Sequence, residues 1–462
     1  MYDDWNVQES ENIDFGDKRL NKRYSKIFHD ICMHISLSIP QALPHYSDCE
    51  AVYRFVNNDK VNYCDLLAEH GYQTLNRMQD LSSVDTILAV QDTTSIDLTS
   101  KNIGKKLGHL ENIASKGYFY HPTMLVTPDN QVLGMVQNNI WTRDPEAEIL
   151  SAKEKRERNR QRPIEEKESV RWLSSFKEVD SIAKQYRQKQ FVSIGDRESD
   201  MIDLISEACL ESTVAKIIIR SAHDRKTLKD DNQIKLLWEQ LLESNVKITY
   251  DISIPATHKR EARKSIVEVR CKKVNIIPPQ IFKDKRTIEI NVVCVTEIND
   301  EVPENERIDW LLLTTLPIDT EDQVNKVITY YKQRWKIEVF FRVLKSVCKV
   351  ESHHFRNPSA YLACLAIKII CACRVLYMGQ VCISSPDLDP NIIFSELELK
   401  IIRTMSKKKD LKTARDYIHA LAKLGGYMDR KINSNPVYVH ISQGITVISH
   451  MKDYLLASQK KE

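Results

Sequence analysis

Tyr331, Arg334, Glu338 and Lys345 are spaced so that one helix face can carry all four. Their offsets from Tyr331 are 3, 7 and 14 residues. At about 100° per residue the last three fall at roughly 300°, 340° and 320°. The four polar side chains then share an arc of about 60°, spread over about 20 Å of helix axis. Ile337, Phe340, Leu344 and Val347 fill a neighbouring arc that a core would bury. A carboxylate set between two cations and a phenol on such a helix is suited to holding a phosphate beside a metal ion.

Two more carboxylates support that chemistry. Thr86-Ile87-Leu88-Ala89-Val90 reads as a buried strand and runs into Gln91-Asp92-Thr93-Thr94. Phe191-Val192-Ser193-Ile194-Gly195 reads as a second strand and runs into Asp196-Arg197-Glu198, with a helix expected from near Ser199. Each aspartate then sits at the carboxyl end of a strand, where open α/β sheets place their sites. Hard cations such as magnesium take oxygen ligands and keep positions for water and phosphate. Two such ions stabilise the attacking and leaving oxygens of phosphoryl transfer. Asp92, Asp196 and Glu338 are therefore the expected metal ligands.

The elements that must position these residues can be read along the chain. Residues 1 to about 70 read as helices, with Leu20, Tyr24, Ile27 and Ile31 at helical spacing and Pro40 and Pro44 as breaks. From about 71 to 220 strands and helices alternate, including a hairpin around Thr127-Pro128-Asp129-Asn130 and a polar loop or arm from Arg143 to Arg162. Residues 221–309 are expected as a β-rich insertion, with the Lys259–Lys264 segment at a hairpin tip. Trp310-Leu311-Leu312-Leu313-Thr314 returns the chain to the core. The last 90 or so residues read as helices, with Leu411 to Leu424 stopped by Gly425-Gly426.

Composition narrows the class. With 462 residues, 42% apolar and 28% charged, the chain has the make-up of a globular protein with two or three domains. Net charge is only +3, but basic residues cluster. Lys18, Arg19, Lys22, Arg23 and Lys26 make one stripe; Lys153 to Arg162, Lys259 to Lys264 and Lys407 to Lys409 make three more. Four such stripes suit a partner with a long phosphate backbone. The eleven cysteines include no CxxC pair, so no disulfide framework or zinc site is expected and a reducing cytoplasm is. The amino terminus lacks a charged-then-apolar leader. The apolar stretch Ala360–Met378 contains Lys368 and Arg374 and reads as a buried helix, so no membrane partner is expected. Asp85, Asp97, Asp200 and Asp203 read as structural or surface groups, and Glu198 as a support for the site. Glu351, His353 and His354 do not have the spacing of a common zinc site.

At these residues the chain resembles bacterial DDE transposases of the insertion-sequence-four family, nearly end to end. Tyr331-x2-Arg334-x3-Glu338-x6-Lys345 has the family's spacing around its glutamate. Asp92-Thr93-Thr94-Ser95 and Asp196-Arg197-Glu198-Ser199-Asp200 resemble the motifs of its two aspartates, and Phe15-Gly16-Asp17-Lys18-Arg19-Leu20 its DNA-binding opening. One departure is Val437 to Gly444, which keeps a glycine but not the flanking tryptophans of relatives. The resemblance implies an α/β fold: an RNase H-like catalytic core (a mixed sheet with flanking helices) with a β-rich insertion, plus helical amino- and carboxyl-terminal domains. The corresponding divisions are 1–70, 71–372 and 373–462. It implies two Mg2+ ions, with Mn2+ substituting, on Asp92, Asp196 and Glu338. DNA contacts are implied at Tyr331, Arg334, Lys345, Arg220 and Lys18, Arg19, Lys22 and Arg23, and Trp310 is implied to stack on a flipped base. The implied partners are double-stranded DNA, as transposon ends and target, and a second copy of the chain. The implied reaction is nicking, hairpin formation, excision and joining, in a bacterial cytoplasm at the nucleoid. A junction resolvase and a catalytically silent DNA-binding protein are the competing readings.

Overall fold

Apolar runs fold into buried strands and amphipathic segments into helices, largely where periodicity places them. The computed structural model describes residues 5–459, apart from 44, 147–152, 155–156, 159–161, 230, 255–260, 281, 283, 300, 408–409 and 429–435. The strands are β1 (Thr86–Gln91), β2 (Thr94–Asp97), β3 (Gly117–Val126), β4 (Val132–Trp141), β5 (Gln190–Gly195), β6 (Lys216–Arg220), β7 (Lys226–Leu228), β8 (Ile234–Leu236), β9 (Val246–Ile254), β10 (Arg263–Ile276), β11 (Ile288–Ile298) and β12 (Asp309–Thr314). The chain packs into two units. One comprises Val84–Asp92 and Ser151–Trp335, the other Met1–Ser83, Thr93–Leu150 and Lys336–Glu462.

The first of these units is built on a mixed sheet. β1, β5 and β6 are parallel neighbours, and β12 follows antiparallel to β6. β11, β10 and β9 continue as an antiparallel meander, so the expected β-rich insertion is present. Helices Val170–Gln185, Ile202–Ala208 and Glu321–Lys332 belong to the same unit. The last of them buries Val324, Val327, Ile328 and Tyr331 against Leu88, Val192, Ile218, Val293 and Leu312 of the sheet. That packing removes a continuous apolar layer from water and fixes Tyr331 over the strands. Burial of this kind, more than helix propensity, holds a twelve-residue helix in place.

The other unit is mostly helical. Helix Pro358–Ser384 is its centre, and the window that is apolar enough to cross a membrane is 89% buried within the protein. The expected hairpin is present as β3 and β4, with Asn130 taking the positive φ of 81° that the turn requires. Helix Lys18–Met33 buries Tyr24, Ile27, Phe28 and Ile31, and Asp17 caps it by accepting the Arg19 N–H. Helices Ala414–Leu424 and Tyr438–Gln459 approach so closely at Gly444 that a Cβ there would strike the Leu421 carbonyl. The glycine is thus needed for packing within the unit.

Several sequence expectations are corrected. Cys32 and Cys371, read as free thiols, form a disulfide between two packed helices, with Cα atoms 5.4 Å apart. A separation of 339 residues leaves no spacing signal for such a pair. Pro40 does not break a helix but opens the short turn Ile39–Ala42. Arg263, assigned to a basic hairpin tip, lies in β10 and makes a two-pronged pair with buried Glu297 at 2.8 Å on both prongs. Lys264 lies in the same strand, and only Lys259 and Arg260 of the proposed tip fall outside the described residues. Most of the polar run from Arg143 to Arg162 also falls outside the described residues. Arg143 is anchored, its guanidinium 4.5 Å over the Phe119 ring.

Candidate active site

Asp92 and Asp196 occupy equivalent places on adjacent strands. Val90 of β1 pairs with Ile194 of β5 in parallel register, and each aspartate lies two residues further on. With strands about 4.8 Å apart, two half-buried carboxylates stand side by side at the carboxyl ends of the sheet. Asp196 is held by its own turn, where Oδ1 accepts the Glu198 N–H at 2.8 Å. Gly195 is needed before it because a Cβ would collide with the Ser199 side chain. Below the pair, buried Gln91 donates to Ser193 Oγ at 2.9 Å and ties the two strand ends together.

Cations and aromatic rings from distant parts of the same unit gather here. Arg334 Nη1 meets Asp92 Oδ2 at 3.0 Å, both side chains 17% exposed. The Tyr331 hydroxyl lies against the guanidinium groups of Arg334 and Arg220. Burial raises the Tyr331 pKa, with the two arginines acting against it and Asp196 adding to it. Burial lowers the Arg220 pKa, with Tyr331 the largest opposing influence. Arg220 Nη2 donates to the Asp309 carbonyl at 2.8 Å, and its Nε is buried without an acceptor. Trp310 stands edge-on to Tyr331 with ring centres 5.2 Å apart, so this half-buried indole is part of the same cluster.

The motif helix is not the single straight helix that its spacing suggests. It ends at Lys332, turns through Gln333 and Arg334 by i→i+3 bonds, and restarts as Trp335–Arg342. Residues Val343–Val347 then widen into a π-turn, closed by Cys348 N–H to the Val343 carbonyl at 3.0 Å. The apolar residues at helical spacing could not reveal these two changes of pitch, because Ile337, Phe340, Leu344 and Val347 are buried as expected. Glu338, half-buried, and Lys345 belong to the mostly helical unit, whereas Tyr331 and Arg334 belong to the sheet unit. Lys345 pairs with Glu351 at 3.6 Å.

Other candidates are placed as follows. Lys18, Arg19, Lys22 and Arg23 are exposed on helix Lys18–Met33, and Arg19 reaches back to Asp17 at 3.3 Å. Glu198 turns outward to Arg171 at 2.6 Å. Asp200 is structural, accepting from Ser221, Ala222, His223 and Arg225. His353 is buried, and that burial pushes its pKa down to about 3. The sequence reading missed Asp309, whose pKa burial raises, with Arg220 and Arg197 opposing. Its signal was its place next to Trp310, on a strand antiparallel to the one that ends in Arg220.

Among the described residues no three His, Cys, Asp or Glu side chains are gathered as a metal-binding group. The donor chemistry of the aspartate pair nevertheless suits a hard divalent cation, being carboxylate oxygens only. Arg334 sets a positive charge beside Asp92.

Paired carboxylates at strand ends thus stand beside arginines and aromatic rings, groups whose chemistry suits metal ions and phosphates. Residues 47–374 match the transposase DDE domain family and residues 2–61 match the transposase DNA-binding family. The chain belongs to the DDE transposases, and it is an enzyme of that type with a DNA-binding segment at its amino-terminal end. Among solved structures it is similar to the piggyBac transposase in a synaptic complex with hairpin DNA, seen by cryo-electron microscopy. The identity is 10%, with 93% of this chain and 76% of that chain covered and a TM-score of 0.37.

Proposed function

We propose that this chain is a cut-and-paste transposase of the insertion-sequence-four branch, resembling the transposase of transposon five, with an RNase H-like core. Asp92, Asp196 and Glu338 would hold two magnesium ions, with manganese as a substitute. Bound there, the ions supply Lewis-acid stabilisation of the oxygens that gain charge in phosphoryl transfer. Arg334 would hold a phosphate of the transposon end with its planar fork. Tyr331 and Arg220 hold the neighbouring backbone, and Lys345 adds a point charge. Trp310 offers its ring face to a base moved out of the duplex, lowering the cost of unstacking. Lys18, Arg19, Lys22 and Arg23 hold backbone phosphates further along the end. The reaction runs by nicking, hairpin formation, reopening and joining to target DNA, in a homodimer that pairs two ends in a bacterial cytoplasm.

The observation that carries this reading is the equal register of Asp92 and Asp196 with Arg334 already on Asp92. The test is a plasmid carrying the inverted repeats that flank the gene, incubated with the purified protein and magnesium. End-specific excision is expected, abolished by Asp92→Asn and by chelation, with hairpin ends visible on denaturing gels. Nicking of branched DNA alone would identify a resolvase. End binding by the wild-type chain without any cleavage would identify a silent DNA-binding protein, and either result overturns the proposal.

A further inference from the structure

Two histidines that the aspartate site does not use meet in the mostly helical unit. His34 closes the carboxyl end of helix Lys18–Met33, and His450 lies in helix Tyr438–Gln459. Their Nε2 atoms face each other at 3.2 Å, with ring centres 5.1 Å apart. His34 is buried, whereas His450 opens to solvent. Thr446 Oγ1 donates to the Met33 carbonyl at 3.1 Å, so the two helices are already joined one turn away.

The other nitrogen of His34 fixes which of its atoms is free. Nδ1 lies 2.9 Å from the Asp30 carbonyl, which can only accept, so Nδ1 carries a proton. Burial, opposed by that same bond, favours the neutral ring. Nε2 then presents a lone pair toward His450. A ring N–H given to a backbone carbonyl is the arrangement that orients metal-ligating histidines. The spacing fits as well. Two imidazole nitrogens, each about 2.0–2.1 Å from one tetrahedral ion, lie about 3.3–3.4 Å apart with ring centres about 5.2 Å apart. A straight N–H···N bond of 3.2 Å would hold the ring centres at about 5.5 Å. At 5.1 Å the rings are bent toward each other as two ligands on one ion are.

Two nitrogens do not hold an ion by themselves, and the helix of His450 supplies a carboxylate one turn further on. Residues three apart on a helix aim their side chains at one point, the spacing by which bundle helices present paired metal ligands. Asp453 is exposed, and among the described residues no hydrogen bond or ion pair holds its carboxylate. It acts electrostatically on both His34 and Asp30. The nearby cations are engaged elsewhere. Lys368 Nζ donates to the Ile35 carbonyl at 2.7 Å and to that of Leu37 at 3.5 Å, and Lys26 pairs with Asp48 at 2.7 Å.

We propose that His34, His450 and Asp453 form a zinc site that clasps helix Lys18–Met33 to helix Tyr438–Gln459, with water as the fourth ligand. A turn of the Asp453 side chain completes the set. Imidazole and carboxylate together select zinc, whereas the oxygen-only aspartate pair suits magnesium. The site is separate from the aspartate pair and does not depend on the transposase reading.

The test uses the full chain without a histidine tag, stripped with a chelator and titrated with cobalt(II) and then zinc. Tetrahedral cobalt with nitrogen ligands absorbs strongly in the visible, and six-coordinate cobalt on carboxylate oxygens absorbs weakly, which separates this site from Asp92 and Asp196. A single equivalent of the strong band, erased by zinc, is expected in the wild type and in Asp92→Asn alike. Removing even a hydrogen-bond partner of a ligand costs about 10–100-fold in affinity. His450→Ala, at an exposed position, should therefore abolish the band and weaken zinc binding by at least about a hundredfold, and Asp453→Asn by about tenfold. Zinc should raise the unfolding midpoint of the wild type and leave that of His450→Ala unmoved. No tetrahedral band in the wild type, or a band that persists in His450→Ala, overturns the proposal. Loss of the band in Asp92→Asn would put the metal on the aspartate pair and overturn it equally.

Discussion

At Glu9 a carboxylate, a histidine and an arginine meet in a closed cluster; at Asp92 a carboxylate, two arginines and a tyrosine meet at a strand end that still faces water. Glu9 and His70 are both fully buried. Glu9 accepts from His70 Nδ1 at 2.8 Å and from Arg77 Nη1 at 2.7 Å. The Met135 N–H approaches His70 Nε2 at 3.1 Å, so both ring nitrogens are engaged. Burial opposes ionisation of Glu9, but His70 and Arg77 override it and hold the carboxyl below its ordinary range. Every oxygen there is occupied. Around Asp92 and Asp196 the carboxylates keep exposure, and Arg220 Nε has no acceptor. A saturated buried cluster holds structure; an unsaturated, half-buried one can accept a ligand.

The sharpest way to break that contrast is a paired substitution. Asp196→Asn keeps the oxygen that caps its own turn, so stability should barely change while DNA cleavage falls by at least about a thousandfold. Glu9→Ala should instead cost about 3 kcal/mol of stability, because it strands buried His70 and removes the carboxylate partner of half-buried Arg77. Denaturant midpoints and a plasmid nicking assay on both variants read this out. A stable Glu9→Ala protein, or an Asp196→Asn protein that cleaves, would dissolve the distinction.

A third charged site sharpens it. Arg263 chiefly, with the Ile308 N–H and against burial, holds Glu297 down from 4.5 to about 2. A depressed carboxyl stabilises the fold above its unfolded value and loses that effect as pH falls through the folded one. The pair should therefore contribute up to about 3 kcal/mol above pH 4.5, fading between 4.5 and about 2. Glu297→Gln should flatten that part of the stability profile, measured by chemical denaturation at a series of pH values. An unchanged acid limb would place the stabilisation elsewhere. The smallest effect is expected from Tyr331→Phe, which removes one hydroxyl from between Arg220 and Arg334. Its cost is about 1 kcal/mol, or roughly fivefold in cleavage at subsaturating DNA, with stability nearly intact. A loss as large as that of Asp196→Asn would mean that the hydroxyl takes part in the chemistry itself.

Much of this was legible along the chain, for local reasons. Apolar runs ending in Asp92 and Asp196 mark buried strands whatever surrounds them, and the β-rich insertion and the long buried helix follow from period and composition. Misreadings arose where a partner lay far away. Arg263 reads as a surface cation until Glu297 is found on the next strand, and Cys32 as a free thiol until Cys371 is found on another helix. The motif helix reads as continuous because burial of its apolar face tolerates a change of pitch at Gln333–Arg334 and again at Val343–Val347.

Residue type and spacing by themselves determined which acids, cations and rings were available, and on what kind of element each would ride, because strand and helix periods are local properties of the backbone. The register of β1 against β5, the reach of Arg334 across 242 positions to Asp92 and the seat of Trp310 on Tyr331 were decided only by tertiary packing. Pairings of that kind depend on which apolar faces bury one another, and that choice is made by the whole chain at once.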